Sequence, residues 1–386
     1  MSSPGRAGRG AVRSRRSAID VAVIGTADPA SRAVLRALVS AAARGTTTAR
    51  PGGADGEARI GTVLAVGTEP PRVGGVDYRY ADPGDPSLAA ALAGAHAAAY
   101  VATSTNLARD LAIGARARRE RNLRVAQTVI TSAAAAGLRH LVVVTSAQTY
   151  GARADNPVPL EDEAPLRAAS DEGQVGDLMD VEQLIEVARD VHPGLTITAV
   201  RPAALVGDGV DTVVTRHFEA PRLLTLRGAE PAWQFCHVDD LGTAVALVLA
   251  QGVGGAVTVG AEGHLTQRAL ERLTGMRRVE LSLGAAMGTA DRLHRVGVLP
   301  APASDLAFVA FPWAVSARTM RDRGWVPVHD NETCLGVLLE AIRGSHAVAA
   351  RRLDRKDAAL GAASAAVALV GTAAIMRRRR RKGSTS

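Results

Sequence analysis

The stretch that most constrains the fold lies near the start. Ile19-Asp-Val-Ala-Val-Ile24 is a β-branched run that stops at Gly25, and from Ser31 a helical pattern follows with Val34, Leu35, Leu38 and Val39 on one face. A short apolar run bounded by glycine reads as a strand, and apolar residues three and four apart read as a helix. The unit then recurs. Strands are expected at 60–66, 78–80, 97–101, 141–144, 195–200 and 256–259, and helices at 87–93, 120–136, 177–190 and 239–250. Strands without a polar face, alternating with helices, imply a parallel sheet covered on both sides. The expected fold class is therefore α/β, a doubly wound parallel sheet with a small C-terminal lobe and a C-terminal hydrophobic helix. Residues 211–236 and 264–345 show weaker patterning and are assigned to the lobe.

Charge divides the chain differently. Of the net +8, residues 1–18 carry +5 and residues 351–386 carry +8, which leaves the body between them at −5. A mildly acidic body lacks the basic groove that phosphate neutralisation on DNA requires, and aromatics at 3% give no stacking platform for single strands, so sequence-specific nucleic-acid binding is not expected. The N-terminal arm, 1–18, is Gly-, Ser- and Arg-rich without an apolar core, unlike a secretory signal. The tail, 351–386, holds nineteen uncharged residues from Ala358 to Met376 between clusters of Arg and Lys. That length just spans a bilayer, so membrane contact through 358–376 and its flanking arginines is one expectation. A helix packing on a partner is another. Cys236 and Cys334 have no Cys-x-x-Cys spacing and the nine histidines no ligand spacing, so reduced thiols, a cytoplasmic setting and no metal are expected.

Several segments in fixed order then carry a resemblance. Val142-Val-Val-Thr-Ser146-Ala-Gln-Thr-Tyr150-Gly151, Arg201-Pro-Ala-Ala-Leu-Val-Gly207, Phe235-Cys-His237-Val-Asp239-Asp240-Leu, Asp82-Pro-Gly-Asp85 and Gly324-Trp325-Val-Pro327 are the segments in question. Together they resemble the short-chain dehydrogenase/reductase superfamily in its extended form, the NAD-dependent epimerase/dehydratase family, over about residues 19–345. The resemblance implies a Rossmann-like NAD(P)-binding-type domain at 19–210 and a lobe at 211–350 that returns one strand and one helix to the sheet. It also implies NAD or NADP as cofactor, bordered by Gly25, Thr26, Ala27, Asp82, Ala102 and Pro202. The family writes Gly-x-x-Gly-x-x-Gly in its cofactor turn, where this chain has Gly25-Thr-Ala-Asp28-Pro-Ala-Ser31. Asp28 brings an anion to the place of an anionic pyrophosphate, and it is also a good helix N-cap with Pro29 behind it. Gly67-Thr68-Glu69 follows the second strand without an arginine, so the choice between NAD and NADP stays open.

The family's chemistry, as the resemblance implies it, uses a tyrosine acid/base, a lysine four residues later and a nearby serine. Ser146 matches the serine. The tyrosine belongs near the start of the helix that leads to Glu182, where the chain reads Gln174-Val-Gly-Asp-Leu178; no tyrosine follows Tyr150 and no lysine precedes Lys356. The remaining catalytic candidates are Asp177 as a base and Tyr150, whose counterpart in the family lines the substrate pocket. Asp239 is expected to cap a helix, Arg201 to fix a turn or pair with an acid, and Trp233, Trp313 and Trp325 to anchor the lobe. Two functions are open: an atypical NAD(P)-linked oxidoreductase or epimerase-like enzyme acting on a small hydroxyl- or carbonyl-bearing ligand in the strand-end crevice, or a non-catalytic sensor or scaffold tethered by its tail. Oligomeric state is not legible.

Overall fold

A computed structural model describes residues 18–44, 58–170, 173–220, 222–295 and 303–351. The apolar tail segment and nearly all of the basic arm lie outside the described residues. Among the described residues no helix is long and apolar enough to cross a membrane.

Seven strands make the central sheet: β1 (Ala18–Ile24), β2 (Arg59–Gly67), β3 (Asp77–Tyr80), β4 (Ala97–Val101), β5 (His140–Val144), β6 (Thr196–Pro202) and β7 (Gly255–Val259). Every pairing is parallel, in the order β7-β6-β5-β4-β1-β2-β3. The chain lays β1, β2 and β3 outward in one direction and then returns to place β4 on the other side of β1. That reversal separates the connections above the carboxyl ends of β1 and β4 and leaves a crevice there.

Alternation within β1 shows why the inner strands are largely apolar. Val21 and Val23 enter one core cluster, whereas Ala22 and Ile24 enter the other. The first face is covered by α1 (Pro29–Arg44) and α4 (Val238–Gln251), the second by α2 (Ala115–Ala135) and α3 (Gln174–Val191). α1 and α4 approach closely at Gly242, where a Cβ would lie 2.6 Å from the Ala33 carbonyl oxygen. Only glycine admits that approach without moving a helix.

The lobe is more regular than its patterning suggests. Strand Leu223–Leu226 pairs in parallel with Arg278–Leu281, and Ala232–Trp233 pairs antiparallel to Leu265–Thr266. Strands of two to four residues are too short to display a period of two, which is why the sequence conceals them. Trp233, Trp313 and Trp325 are buried, and their indole N–H groups donate to Gln267, to the Phe308 carbonyl and to Thr243. Cys236 and Cys334 are buried free thiols.

Candidate active site

Gly25 follows β1 at φ +85°, a conformation strained for any residue with a side chain, and the backbone turns there toward α1. Asp28 is the N-cap of that helix. Its carbonyl accepts from the Arg32 N–H at 3.0 Å, its Oδ1 accepts from the Ala30 N–H at 2.9 Å, and Pro29 opens the helix. The same carboxylate reaches the loop after β4, accepting from Thr105 Oγ1 at 2.7 Å and from the Thr105 N–H at 3.1 Å. Burial pushes the Asp28 carboxyl above the ordinary carboxylate range, opposed by the hydrogen bonds from Thr105 and Ala30 and by Arg32. The N-terminus of α1, the place where a dinucleotide turn receives phosphate, is thus closed by the chain's own anion.

A cleft of about 520 Å³ lies over the carboxyl ends of β1, β2 and β4. Gly25, Thr26, Ala27, Asp82 and Ala102 all border it, as does Asp28. Asp82 shapes the turn after β3 by accepting from the Gly84 N–H at 2.8 Å. Arg109, Arg121 and Arg124 also border the cleft, and the sequence reading did not single them out. Arg109 comes from a short helix, Leu107–Leu111, capped by the Asn106 side chain at 2.9 Å from the Arg109 N–H. Arg121 and Arg124 lie one turn apart on α2. A face of α2 with Arg118, Arg121, Asn122 and Val125 at helical spacing was the available signal, and it reads as an ordinary solvated stripe until the crevice is placed above it.

The cleft continues into a smaller cavity of about 70 Å³ bordered by Ser146, Asp177 and Pro202 together with Gln148, Gln174 and Leu178. The Ser146 Oγ accepts from the Gln148 N–H at 3.1 Å and so holds its hydroxyl at the carboxyl end of β5. Gln174 and Leu178 occupy the start of α3, where the resemblance asks for tyrosine and lysine. The Gln174 amide donates to Asp110 at 2.6 Å, and Arg121 stands 3.5 Å from the other oxygen of that carboxylate. Asp177 is ion-paired: Arg118 Nε donates to it at 2.7 Å and Asn122 Nδ2 at 3.0 Å. Burial raises the Asp177 carboxyl, and Arg118 and Asn122 pull it back. The segment that elsewhere carries a proton-transfer dyad here carries a network of carboxylates held by arginines and amides.

Tyr150 needs a correction. Its side chain is fully buried, with no surface to offer a ligand. The hydroxyl donates to the Asp162 carbonyl at 2.8 Å and accepts from Arg201 Nη1 at 3.0 Å. Arg201 in turn grips Glu182 with two hydrogen bonds of 2.9 and 2.8 Å, and Thr145 Oγ1 donates to the same carboxylate at 2.6 Å. Tyr150 closes a 3-10 turn, Ala147–Tyr150, that Ser146 caps, and this turn points the phenol into the core instead of the crevice. A second correction concerns α4. Its N-cap is His237, whose Nδ1 accepts from the Asp239 N–H at 3.2 Å, while Asp239 itself pairs with Arg36 at 2.6 Å. Among the described residues, no group of three or more His, Cys, Asp or Glu side chains is placed to hold a metal ion.

Comparison with known proteins follows the same lines. The structure superposes on a dTDP-glucose 4,6-dehydratase from Streptomyces venezuelae, solved with NAD and TYD bound, with a TM-score of 0.59 at 17% identity over 86% of this chain and 98% of the other. It superposes on a UDP-glucose 4-epimerase from Thermotoga maritima, solved with UDP-glucose, with a TM-score of 0.59 at 15% identity over 85% of this chain and 100% of the other. At these identities the likeness shows the fold alone. An uncharacterised protein of Mycobacterium tuberculosis is 25% identical over 131 residues, 34% of this chain and 35% of that protein. The match therefore spans about a third of its length. The sequence model described as "NAD dependent epimerase/dehydratase family" matches residues 32–260, more than half of the chain. With the parallel sheet and the strand-end crevice in place, the chain belongs to the NAD-dependent epimerase/dehydratase family.

Proposed function

We propose that the chain binds a nicotinamide dinucleotide, NAD or NADP, along the crevice and exchanges hydride with a small substrate bearing a hydroxyl or carbonyl group beside Ser146. The observation that carries this reading is continuity. The cleft and the cavity share Tyr100, Ala102, Thr103, Ser104, Asp110 and Asn122, so a ligand that starts at the Gly25 loop reaches Ser146 without leaving the crevice. Family membership supports it, as does the NAD bound to the Streptomyces dehydratase. The non-catalytic alternative gains nothing from the solved neighbours cited above, which are named for enzymatic activities.

The donor set fits a dinucleotide, with one rearrangement. The α1 terminus is closed by Asp28, but three guanidinium groups border the same cleft, and arginine matches phosphate oxygens in geometry and charge. Arg109, Arg121 and Arg124 are the groups to hold the phosphates, with Gly25 to Ala27 as the backbone floor and the Asp82 turn at the end away from Ser146. When bound, the dinucleotide supplies the hydride acceptor or donor. The chain's part is to orient, and the proton that leaves or joins the substrate oxygen with the hydride is exchanged with water in the crevice. Ser146 presents a hydroxyl to the substrate oxygen, and Asp177, held from behind by Arg118, forms part of the cavity wall.

Titration calorimetry of the full chain with NAD, NADH, NADP and NADPH tests the reading. Micromolar binding of at least one is expected. Absence of heat and of any thermal shift up to millimolar concentrations of all four overturns it.

A further inference from the structure

The site lacks a tyrosine on α3, yet one phenol does stand in it. Tyr100 is the penultimate residue of β4, and alternation sets it on the α2/α3 side of the sheet with Ala98. Its side chain is 9% exposed and borders both the cleft and the small cavity, which places it at their junction. The state of its hydroxyl separates it from the fold's other core phenol. Tyr150 both donates and accepts within the core. The Tyr100 hydroxyl makes no hydrogen bond among the described residues, and it is not one of the polar atoms sealed from solvent, which are the Nδ1 of His140 and the Nε2 of His217. A nearly buried phenol whose hydroxyl is unpaired within the protein and open to the crevice has its hydrogen-bonding capacity free for whatever enters there.

We propose that the Tyr100 hydroxyl donates a hydrogen bond to the nicotinamide half of the bound dinucleotide, at the junction where that half meets the substrate cavity. The assignment rests on the dinucleotide reading above. The direction along the crevice follows from its two ends. The Gly25 loop and the Asp82 turn border only the cleft, Ser146 borders only the cavity, and Tyr100 borders both. Burial pushes the phenol well above its ordinary value, partly offset by the Arg121 charge, so the hydroxyl keeps its proton at neutral pH and acts as a donor. The sequence offers no sign of this role, because a tyrosine inside an apolar strand reads as core.

The test compares wild type with Tyr100→Phe, titrated with NADH and separately with ADP-ribose, which lacks the nicotinamide ring. The variant removes one oxygen and keeps the ring that packs among Ala98, Leu141 and Val143. A loss of NADH affinity on the order of fivefold to tenfold is expected, with ADP-ribose affinity unchanged. Equal NADH affinity in the two proteins overturns the assignment, as does an equal loss for both ligands, which would mean that the phenol only supports the fold. Failure of the wild type to bind NADH is a different result: the dinucleotide reading itself then falls, and the assignment falls with it.

Discussion

Two arginine–carboxylate pairs brace helix α3, and they sit in different surroundings. Glu182 and Asp177 lie five residues apart, about 140° around the helix. Glu182 pairs with Arg201 and Asp177 with Arg118, and all four side chains are almost completely buried, at 1%, 6%, 2% and 4% exposure. The Glu182 pair is enclosed by the Thr145 hydroxyl and the Tyr150 ring, over which the Arg201 guanidinium lies 5.1 Å from the centroid. Of the second pair, Asp177 borders the small cavity, with Asn122 as a further donor, and Arg118 lies behind it. Equal burial therefore serves two ends. One pair fixes α3 against β5 and β6, and the other sets the charge and shape of a pocket.

Breaking each pair separates these roles. Glu182→Gln leaves the Arg201 charge in the core without a counter-ion, and a loss of about 3–5 kcal/mol in unfolding free energy is expected from chemical denaturation. The double variant Glu182→Leu with Arg201→Met should recover most of that loss, because it removes both charges. Asp177→Asn is expected to cost less, about 1–3 kcal/mol, since Asp177 borders the small cavity, where water can solvate the residual charge, whereas Glu182 does not. If the two single variants lose equal stability, the distinction between scaffold and wall is wrong.

Acid sharpens the same contrast. The closed interior also holds two imidazoles, His140 and His217, each pushed down to about 4 by burial. Each has a ring nitrogen without a partner, consistent with a neutral ring. A folded-state value below the unfolded 6.5 means that the unfolded chain binds more protons, so this stability is present above 6.5 and is lost as pH falls toward 4. Between pH 7 and pH 5 the loss is about 2 kcal/mol for each histidine. The cleft side responds in the opposite sense. Asp28 and Asp177 are raised, so protonation favours the folded state there. Denaturation at the two pH values should show a net loss, and His217→Phe, which keeps a ring against Trp233 at 5.5 Å, should remove about half of it. A pH response that His217→Phe leaves unchanged would mean that this imidazole is not held neutral.

The inner strands of the sheet were legible because both of their faces are buried. A strand such as Ala97–Val101 has no polar alternation to confuse with a surface strand, and the segments around Ser146 and Arg201 fix its position in the fold. The loop cap was legible for a local reason, since Asp followed by Pro has few other uses before a helix. The site was legible only in part. Ser146 and Asp82 lie on turns whose form follows from neighbouring residues. Arg109, Arg121 and Tyr100 reach the crevice from a short helix, a long helix and a strand, and only the reversal in strand order brings them together. Tyr150 misled because it lies one 3-10 turn beyond Ser146, and nothing local tells which side of the sheet that turn serves.

The smallest expected effect concerns the opposite end of the crevice from α3, where Asp28 closes the α1 terminus. Its carboxylate has two tasks: capping α1 through Ala30 and tying the loop after β4 through Thr105. Asp28→Ser keeps the first, because serine is an equally good cap, and removes the charge and the reach of the second. The cap itself should change stability by less than about 1 kcal/mol, and the lost Thr105 hydrogen bonds by about 1–3 kcal/mol, offset in part because the partly buried carboxylate is no longer desolvated. The anionic phosphates of NADH would then meet Arg109, Arg121 and Arg124 with one carboxylate fewer in the cleft, and a gain in affinity of roughly threefold to fivefold at low salt is expected. Raising the ionic strength should shrink that gain, since a charge effect is screened where a shape effect is not. A variant that binds NADH no better than wild type at low salt would show that the Asp28 clasp lies outside the phosphate path. The two ends of the crevice would then differ in architecture alone, and not in their hold on the ligand.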